Sequence, residues 1–277
     1  MKTLIIGKKS NLSQILYNKL DNIILISSQN SIEELNRIDF KSISKINIIF
    51  NNFQTAIKLN NVENPSEYIH RAITTTSLIL SYIKNNNIIV NKIIYTSSSS
   101  VYGNNILCKE TDRLNPLSLH SSLKISNEKL IEKFAIENKI DYTITRIFNM
   151  YGGDDNFSII SKIKKSYLED SILTIVNNGN AIRDFIHIYD VVKIYKRILK
   201  LKDIPKINIG SGQNISIKNI INFLSNNNIN INMNNIFRDE LKISSADISE
   251  LLNIMGDIEF IKVENFLLEE ILEKNNE

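Results

Sequence analysis

Residues 4–13 read Leu4-Ile5-Ile6-Gly7-Lys8-Lys9-Ser10-Asn11-Leu12-Ser13, a short apolar run that stops at a glycine and leads through a polar turn into a helical pattern. The same alternation runs through the first half of the chain. Strands are expected near Thr3 to Ile6, Ile23 to Ser27, Ile46 to Phe50, Lys92 to Ser97 and Tyr142 to Phe148, with helical periodicity between them. Strands alternating with helices imply right-handed crossovers and a parallel sheet covered on both faces. Such sheets collect ligands at the carboxyl ends of their strands.

Four further segments follow in order: Tyr95-Thr96-Ser97-Ser98-Ser99-Ser100-Val101-Tyr102-Gly103, Arg146-Ile147-Phe148-Asn149-Met150-Tyr151-Gly152, Arg183-Asp184-Phe185-Ile186-His187-Ile188 and Asn208-Ile209-Gly210-Ser211-Gly212. Four of the five segments fall at expected strand ends. Their order and spacing over nearly the whole chain resemble the extended short-chain dehydrogenase/reductase family, whose members remodel nucleotide-activated sugars. The resemblance implies an α/β fold, a Rossmann-like doubly wound parallel sheet with a small C-terminal substrate-binding lobe. Residues 1–155, joined again by 184–200, are expected to form the NAD(P)-binding part, and 156–183 with 201–277 the smaller lobe.

The bulk numbers set bounds. A chain of 277 residues with 43% apolar and 23% charged residues fits a globular protein with a sizeable core. Its net charge of +3 comes without a dense basic block or aromatic-interleaved stripe, so nucleic acid is not an expected partner. The single cysteine, Cys108, excludes an intramolecular disulfide and suits a reducing compartment. Met1-Lys2 runs directly into a strand, and no apolar run reaches membrane-spanning length, so the expectation is a cytoplasmic protein with no membrane partner. Asparagine runs such as Asn85-Asn86-Asn87 and Asn226-Asn227-Asn228 fall at plausible turns.

A dinucleotide fold needs glycines after its first strand for the tight turn, for backbone approach to pyrophosphate and for helix packing. Here the positions carry Gly7, Ser10 and Ser13. Ser10 either caps the helix or donates to phosphate. Gly7, Ser10, Asn11 and Leu12 are the candidate cofactor turn, with Lys8 and Lys9 adding attraction or only meeting solvent. The second strand ends Ile26-Ser27-Ser28-Gln29, with no carboxylate to hold the adenosine ribose; Ser27 is the candidate cofactor contact there, since by the resemblance a serine at this place can accompany the phosphorylated cofactor, although no arginine stands beside it to receive a 2′-phosphate. The cofactor expected from the resemblance is NAD or NADP, with weak or lost binding as the alternative.

At the chemical end the family uses a Ser or Thr, a Tyr and a Lys. The hydroxyl aligns with Ser98 and the lysine with Lys124, but the stretch Asn115-Pro116-Leu117-Ser118-Leu119-His120-Ser121-Ser122-Leu123-Lys124 carries His120 where the tyrosine stands. Ser99 and Ser100 replace the Asp-Glu pair that dehydratases tend to carry, which argues against 4,6-dehydration. His120 and Lys124 lie four apart on an expected helix and so share a face. A neutral imidazole can take a proton near pH 7, but Lys124 and an oxidised nicotinamide would disfavour its charged form, and imidazole is shorter than phenol. His120 is therefore either the acid–base group or a structural residue. By the resemblance, Asn149, Arg183 and Arg238 (followed by Asp239-Glu240) hold the sugar-nucleotide, the arginines as forks on a diphosphate; surface ion pairing is their alternative. Ser99 joins them as a candidate substrate contact, and His187 reads as a structural member of its motif. No metal is expected.

The helix from Ser66 to Lys84 carries a wide apolar stripe of Ile69, Ala72, Ile73, Leu80 and Ile83, broadened by Tyr68, Ile79 and Tyr82. With the helix of residues 119–138 it is a candidate homodimer face, or is simply buried within one chain. The function expected is an NAD(P)-dependent nucleotide-sugar epimerase or 4-keto reductase of surface-polysaccharide synthesis. The alternative is a catalytically silent relative that binds sugar nucleotide or serves as a partner subunit.

Overall fold

The computed structural model describes residues 1–52 and 65–275. The chain forms two compact units, one of Met1–Gly103, Arg113–Arg146 and Ile194–Ile207, the other of Asn104–Asp112, Ile147–Lys193 and Asn208–Glu277.

The first unit is built on β1 (Lys2–Ile6), α1 (Asn11–Lys19), β2 (Ile23–Ile26), α2 (Ser31–Asn36), β3 (Ile46–Phe50), α3 (Pro65–Ile69), α4 (Thr75–Asn85), β4 (Val90–Ser98), α5 (Leu119–Glu137) and β6 (Asp141–Ile147). With β10 (Lys206–Ile209) the strands form a six-stranded sheet in the order β10-β6-β4-β3-β1-β2. β1 pairs in parallel with β2 and β3, and β3 with β4. The doubly wound α/β expectation holds, because strands covered on both faces read as unbroken apolar runs: Leu4, Ile6, Ile48, Phe50 and Ile93 have no exposed surface. They meet Ile79, Leu80 and Ile83 of α4 and Ile131 of α5 in one core cluster. At a burial free energy of roughly 25 cal/mol per Å² of apolar surface, such a cluster is the main stabilising term of the unit.

The helix expected over 66–84 is interrupted, since a π-turn spans His70–Thr74 between α3 and α4. Its carbonyls are met by side chains: Asn52 Nδ2 donates to Arg71 O at 3.3 Å, Asn127 Nδ2 to Ala72 O at 2.6 Å and Thr75 Oγ1 to His70 O at 3.1 Å. Asn52 and Asn127, distant in sequence, and the adjacent Thr75 offset the cost of the wider turn. Ile69, expected in the buried stripe, is 42% exposed. Asparagine runs close helices, as expected for a residue that tolerates left-handed backbone: Asn87 follows α4 at φ 51°.

The second unit contains β5 (Leu107–Cys108), β7 (Asn149–Tyr151), α6 (Ile159–Leu168), β8 (Leu173–Val176), β9 (Ile182–His187), α7 (Ile188–Ile198, which continues into the first unit), β11 (Asn214–Ser216), α8 (Ile217–Asn226), β12 (Met233–Ile236), β13 (Ile243–Ala246), α9 (Ser249–Met255) and α10 (Val263–Asn275). β9 is its hub, pairing antiparallel with β11 and parallel with β7 and β13. Its own core joins Tyr151, Ile163, Phe185, Leu224 and Leu267. Cys108 is buried in the short strand β5 and donates weakly to Asn105 O at 3.5 Å. No helix among the described residues is long and apolar enough to cross a membrane.

Candidate active site

The turn after β1 is shaped by Gly7. Its φ is +103°, and a Cβ there would lie 2.5 Å from Asn51 O, so only glycine lets the turn lie against the end of β3. Gly7 N and Lys8 N both donate to Ile26 O, at 2.9 and 3.1 Å, which ties the turn to the last residue of β2. Ser10 is the N-cap of α1. Its Oγ accepts from Ser13 N at 3.1 Å and donates to Ser13 Oγ at 2.9 Å, so the hydroxyl turns back on α1. Ser13 is fully buried and accepts from Asn51 Nδ2 at 3.1 Å, a small residue that still allows close packing. Asn11 and Leu12 open α1, where first-turn amides and the helix dipole favour an anion.

At the end of β2, Ser27 Oγ accepts from Gln29 N at 3.2 Å. The expectation that no carboxylate stands here needs correction, because Glu34 Oε2 accepts from Ser27 N at 3.0 Å. The acid arrives from α2 rather than from the strand. Glu33-Glu34 in the first turn of a short helix was the only sequence signal for it.

The chemical end is organised by β4 and α5. Ser98 closes β4, and its Oγ accepts from Ser100 N at 3.2 Å as it caps the 3₁₀ turn Ser99–Tyr102. The loop before α5 is fastened to that turn: Asn115 N donates to Val101 O at 2.9 Å, and a Cβ on Gly103 would lie 2.2 Å from Asn115 O. Ser118 then caps α5 in a reciprocal box with Ser121. This fixes His120 in the first turn, where Nδ1 lies 3.5 Å from Ser100 Oγ. It is Ser100 that meets the imidazole, whereas Ser98 serves as a cap.

One turn on, the buried Lys124 Nζ donates to Thr96 O at 2.7 Å and stands 5.2 Å from the Tyr95 ring centre. After a further turn, buried Glu128 pairs with Arg146 (Nη2 to Oε2, 2.8 Å; Nε to Oε1, 3.2 Å) and accepts from Ser97 Oγ. Arg146 also donates to Tyr102 OH at 3.0 Å. His120, Lys124 and Glu128 thus form a stripe at spacing four on α5.

Burial, then the Lys124 charge, lowers the His120 pKa to about 4, so the ring is neutral at pH 7. Burial, opposed by Glu128, lowers Lys124 to about 7. The repulsion expected between these two has the right sign, but burial is the larger cause. A neutral imidazole can accept one hydrogen bond and donate another; it cannot deliver a proton at neutral pH as a phenol can. Lys124 is the group in this stripe whose proton is mobile there.

In the second unit, Asn149 Nδ2 donates to Asp184 O at 2.9 Å. Arg183 donates through Nη1 to Ile182 O at 2.9 Å and pairs with Glu240 at 3.5 Å. Asn177 Nδ2 reaches both Glu240 Oε1 at 3.0 Å and Arg238 O at 2.7 Å, so Arg183 and the exposed Arg238 belong to one cluster. Asp184, without exposed surface, gathers Ser211 N (2.8 Å), Ser211 Oγ (3.0 Å), Gly212 N (3.1 Å) and Ala246 N (3.3 Å). His187 is packed among Tyr151, Tyr189 and Phe266 with ring centres 4.9–5.1 Å apart, and its Nδ1 accepts from Tyr189 N. Among the described residues no group of side chains could hold a metal ion.

A family model described as "NAD dependent epimerase/dehydratase family" matches residues 11–210. The chain is 33% identical to Protein CapI of Staphylococcus aureus over 144 residues, 50% of this chain and 42% of that one. It is 24% identical to a UDP-glucose 4-epimerase of Corynebacterium glutamicum over 181 residues, 58% and 54% of the two chains. The chain spans about half the length of these curated relatives. In three dimensions it resembles the UDP-glucuronic acid 4-epimerase from Bacillus cereus, solved with UDP-glucuronic acid and NAD, at a TM-score of 0.83 and 22% identity over 100% of this chain and 99% of that one. At that identity the likeness concerns the fold.

Proposed function

The chain belongs to the NAD dependent epimerase/dehydratase family, and on that premise we propose that it acts in the cytoplasm on a nucleotide sugar, as an NAD-dependent epimerase or 4-keto reductase supplying surface-polysaccharide synthesis. The observation that carries this reading is Lys124, buried and held on Thr96 O at the carboxyl end of β4, with His120 one turn before it. A lysine is costly to bury, and one kept at a strand end has a chemical use as its best explanation.

The residues present fit a dinucleotide. Gly7 keeps its left-handed conformation and close approach, and Ser10 and Ser13 are accommodated within α1. When bound, the nicotinamide supplies hydride transfer. Lys124 and the first turn of α1 would hold the cofactor. In the tautomer with Nδ1 accepting from Ser100 Oγ, His120 would carry its proton on Nε2 and offer it as a neutral hydrogen bond to the substrate oxygen. Proton exchange at neutral pH falls to Lys124. Arg183, Arg238 and Asn149 are the proposed sugar-nucleotide contacts in the second unit. Ser99 and Ser100 supply no carboxylic acid, which argues against 4,6-dehydration. A homodimer through helices 66–84 and 119–138 is part of the same proposal, supported by exposed Leu78 and Ile136 on those helices.

A second reading is favoured by His120 itself, since an imidazole held neutral and a Ser98 used as a cap suit a silent sugar-nucleotide binding protein or partner subunit. The two are separated by incubating the protein with NAD(H) and a panel of UDP-hexoses and 4-keto sugars, reading products by NMR. Turnover lost in Lys124→Ala supports the enzyme. Sugar-nucleotide binding without any product, in wild type and His120→Tyr alike, supports the silent reading.

A further inference from the structure

Resting on the dinucleotide reading of the first unit, we infer that Asn51 is a positioning residue, which fixes the separation between the turn after β1 and Lys124, with Ser13 as its matched partner. Asn51 follows β3 directly and is buried. Its backbone faces β1: N donates to Ile6 O at 2.8 Å, and O lies where a Cβ on Gly7 would come within 2.5 Å. Its side chain works in two directions. Nδ2 donates at 3.1 Å to Ser13 Oγ in the first turn of α1, and Oδ1 accepts from Thr96 Oγ1 on β4. The carbonyl of the same Thr96 holds Lys124 Nζ at 2.7 Å, and Tyr195 OH of α7 braces the Thr96 hydroxyl at 2.8 Å. One side chain thus joins the glycine turn, the helix behind it and the residue on which Lys124 rests.

The chemistry follows from the amide. Its plane offers a donor and an acceptor side by side without charge, so it satisfies two hydroxyls at once. An aspartate in its place would bury a charge and lose the donor, whereas a leucine would keep the branched shape and leave both hydroxyls short of a partner. Ser13 stands where a dinucleotide turn carries a third glycine, and its hydroxyl has no exposed surface. Ser10 Oγ and Asn51 Nδ2 both donate to it, which offsets its desolvation. A ligand that spans the turn and Lys124 gains from the two being held at one separation; a ligand that reaches the turn alone does not.

The test combines urea unfolding of the full chain with calorimetric titration by NADH, which spans both parts, and by ADP, which reaches the turn alone. The variants are Asn51→Leu, Ser13→Ala and the two together. Wild type is expected to bind NADH at least about tenfold more tightly than ADP. Asn51→Leu should lower the urea midpoint, and adding Ser13→Ala should raise it again, because removing both partners leaves no orphaned hydroxyl on α1. In the double variant, with stability restored, ADP affinity is expected to stay within about twofold of wild type while the NADH advantage over ADP falls to about threefold or less. Recovery of that advantage together with stability overturns the positioning role and leaves Asn51 a packing residue. Equal loss of ADP and NADH affinity overturns it as well, since damage to the turn then accounts for both. Additive effects of the two substitutions in urea overturn the matched pair. Wild type that binds NADH no more tightly than ADP overturns the inference with the cofactor reading left standing, whereas absence of binding by both nucleotides overturns the two together.

Discussion

His120 is the second residue of α5, where burial, the Lys124 ammonium and the positive end of the helix dipole all disfavour its charged form. Their shared sign has a measurable consequence. In the unfolded chain the ring protonates near 6.5, in the folded one near 4, so between these values the unfolded state binds more protons and stability falls as pH falls. His120→Gln should flatten that slope. The difference between wild type and variant in urea unfolding at pH 7 and pH 5 is expected to change by about 1 kcal/mol, after discounting for the ring's partial exposure. On the catalytic side, restoring a phenol with His120→Tyr should raise turnover at least about tenfold under the enzyme reading, because a phenol beside Lys124 can both take and return a proton. His120 was legible in the sequence as a departure, but its protonation state was not. That depends on how deeply the first turn of α5 is buried.

At the scale of elements, α5 carries the candidate site and also anchors the sheet through Glu128 and Arg146. Glu128→Gln leaves a buried guanidinium without its counter-charge and should cost about 3–5 kcal/mol in urea unfolding. It should also lower the Lys124 pKa further, since Glu128 is the group that raises it. Ser118→Ala removes the capping box that fixes His120 and should cost about 1 kcal/mol. Strands β1, β2, β3, β4 and β6 were readable to within two residues, because buried parallel strands are continuous apolar runs. The π-turn at His70–Thr74 left no trace in local sequence, since the Asn52 and Asn127 side chains that support it come from elsewhere in the chain. Glu34 was missed for the same reason, a strand-end acid delivered by the next helix.

For the whole molecule, the order of short segments along the chain carried the fold, whereas each segment alone was weak. The second unit was less legible because its strands β5, β7 and β11 run only two or three residues and depend on pairing with distant partners. The proposed homodimer is a property of this scale: Leu78→Glu places a charge on an exposed apolar position of α4, and sedimentation should show a dimer in wild type and a monomer in the variant. The central claim, that this fold still serves a nicotinamide cofactor despite His120 and the serines of its first turn, is tested most directly by titrating the purified chain with NADH and following nicotinamide fluorescence. Micromolar binding that is lost in Lys124→Ala is the expected result; no binding, with no cofactor carried through purification, would contradict it.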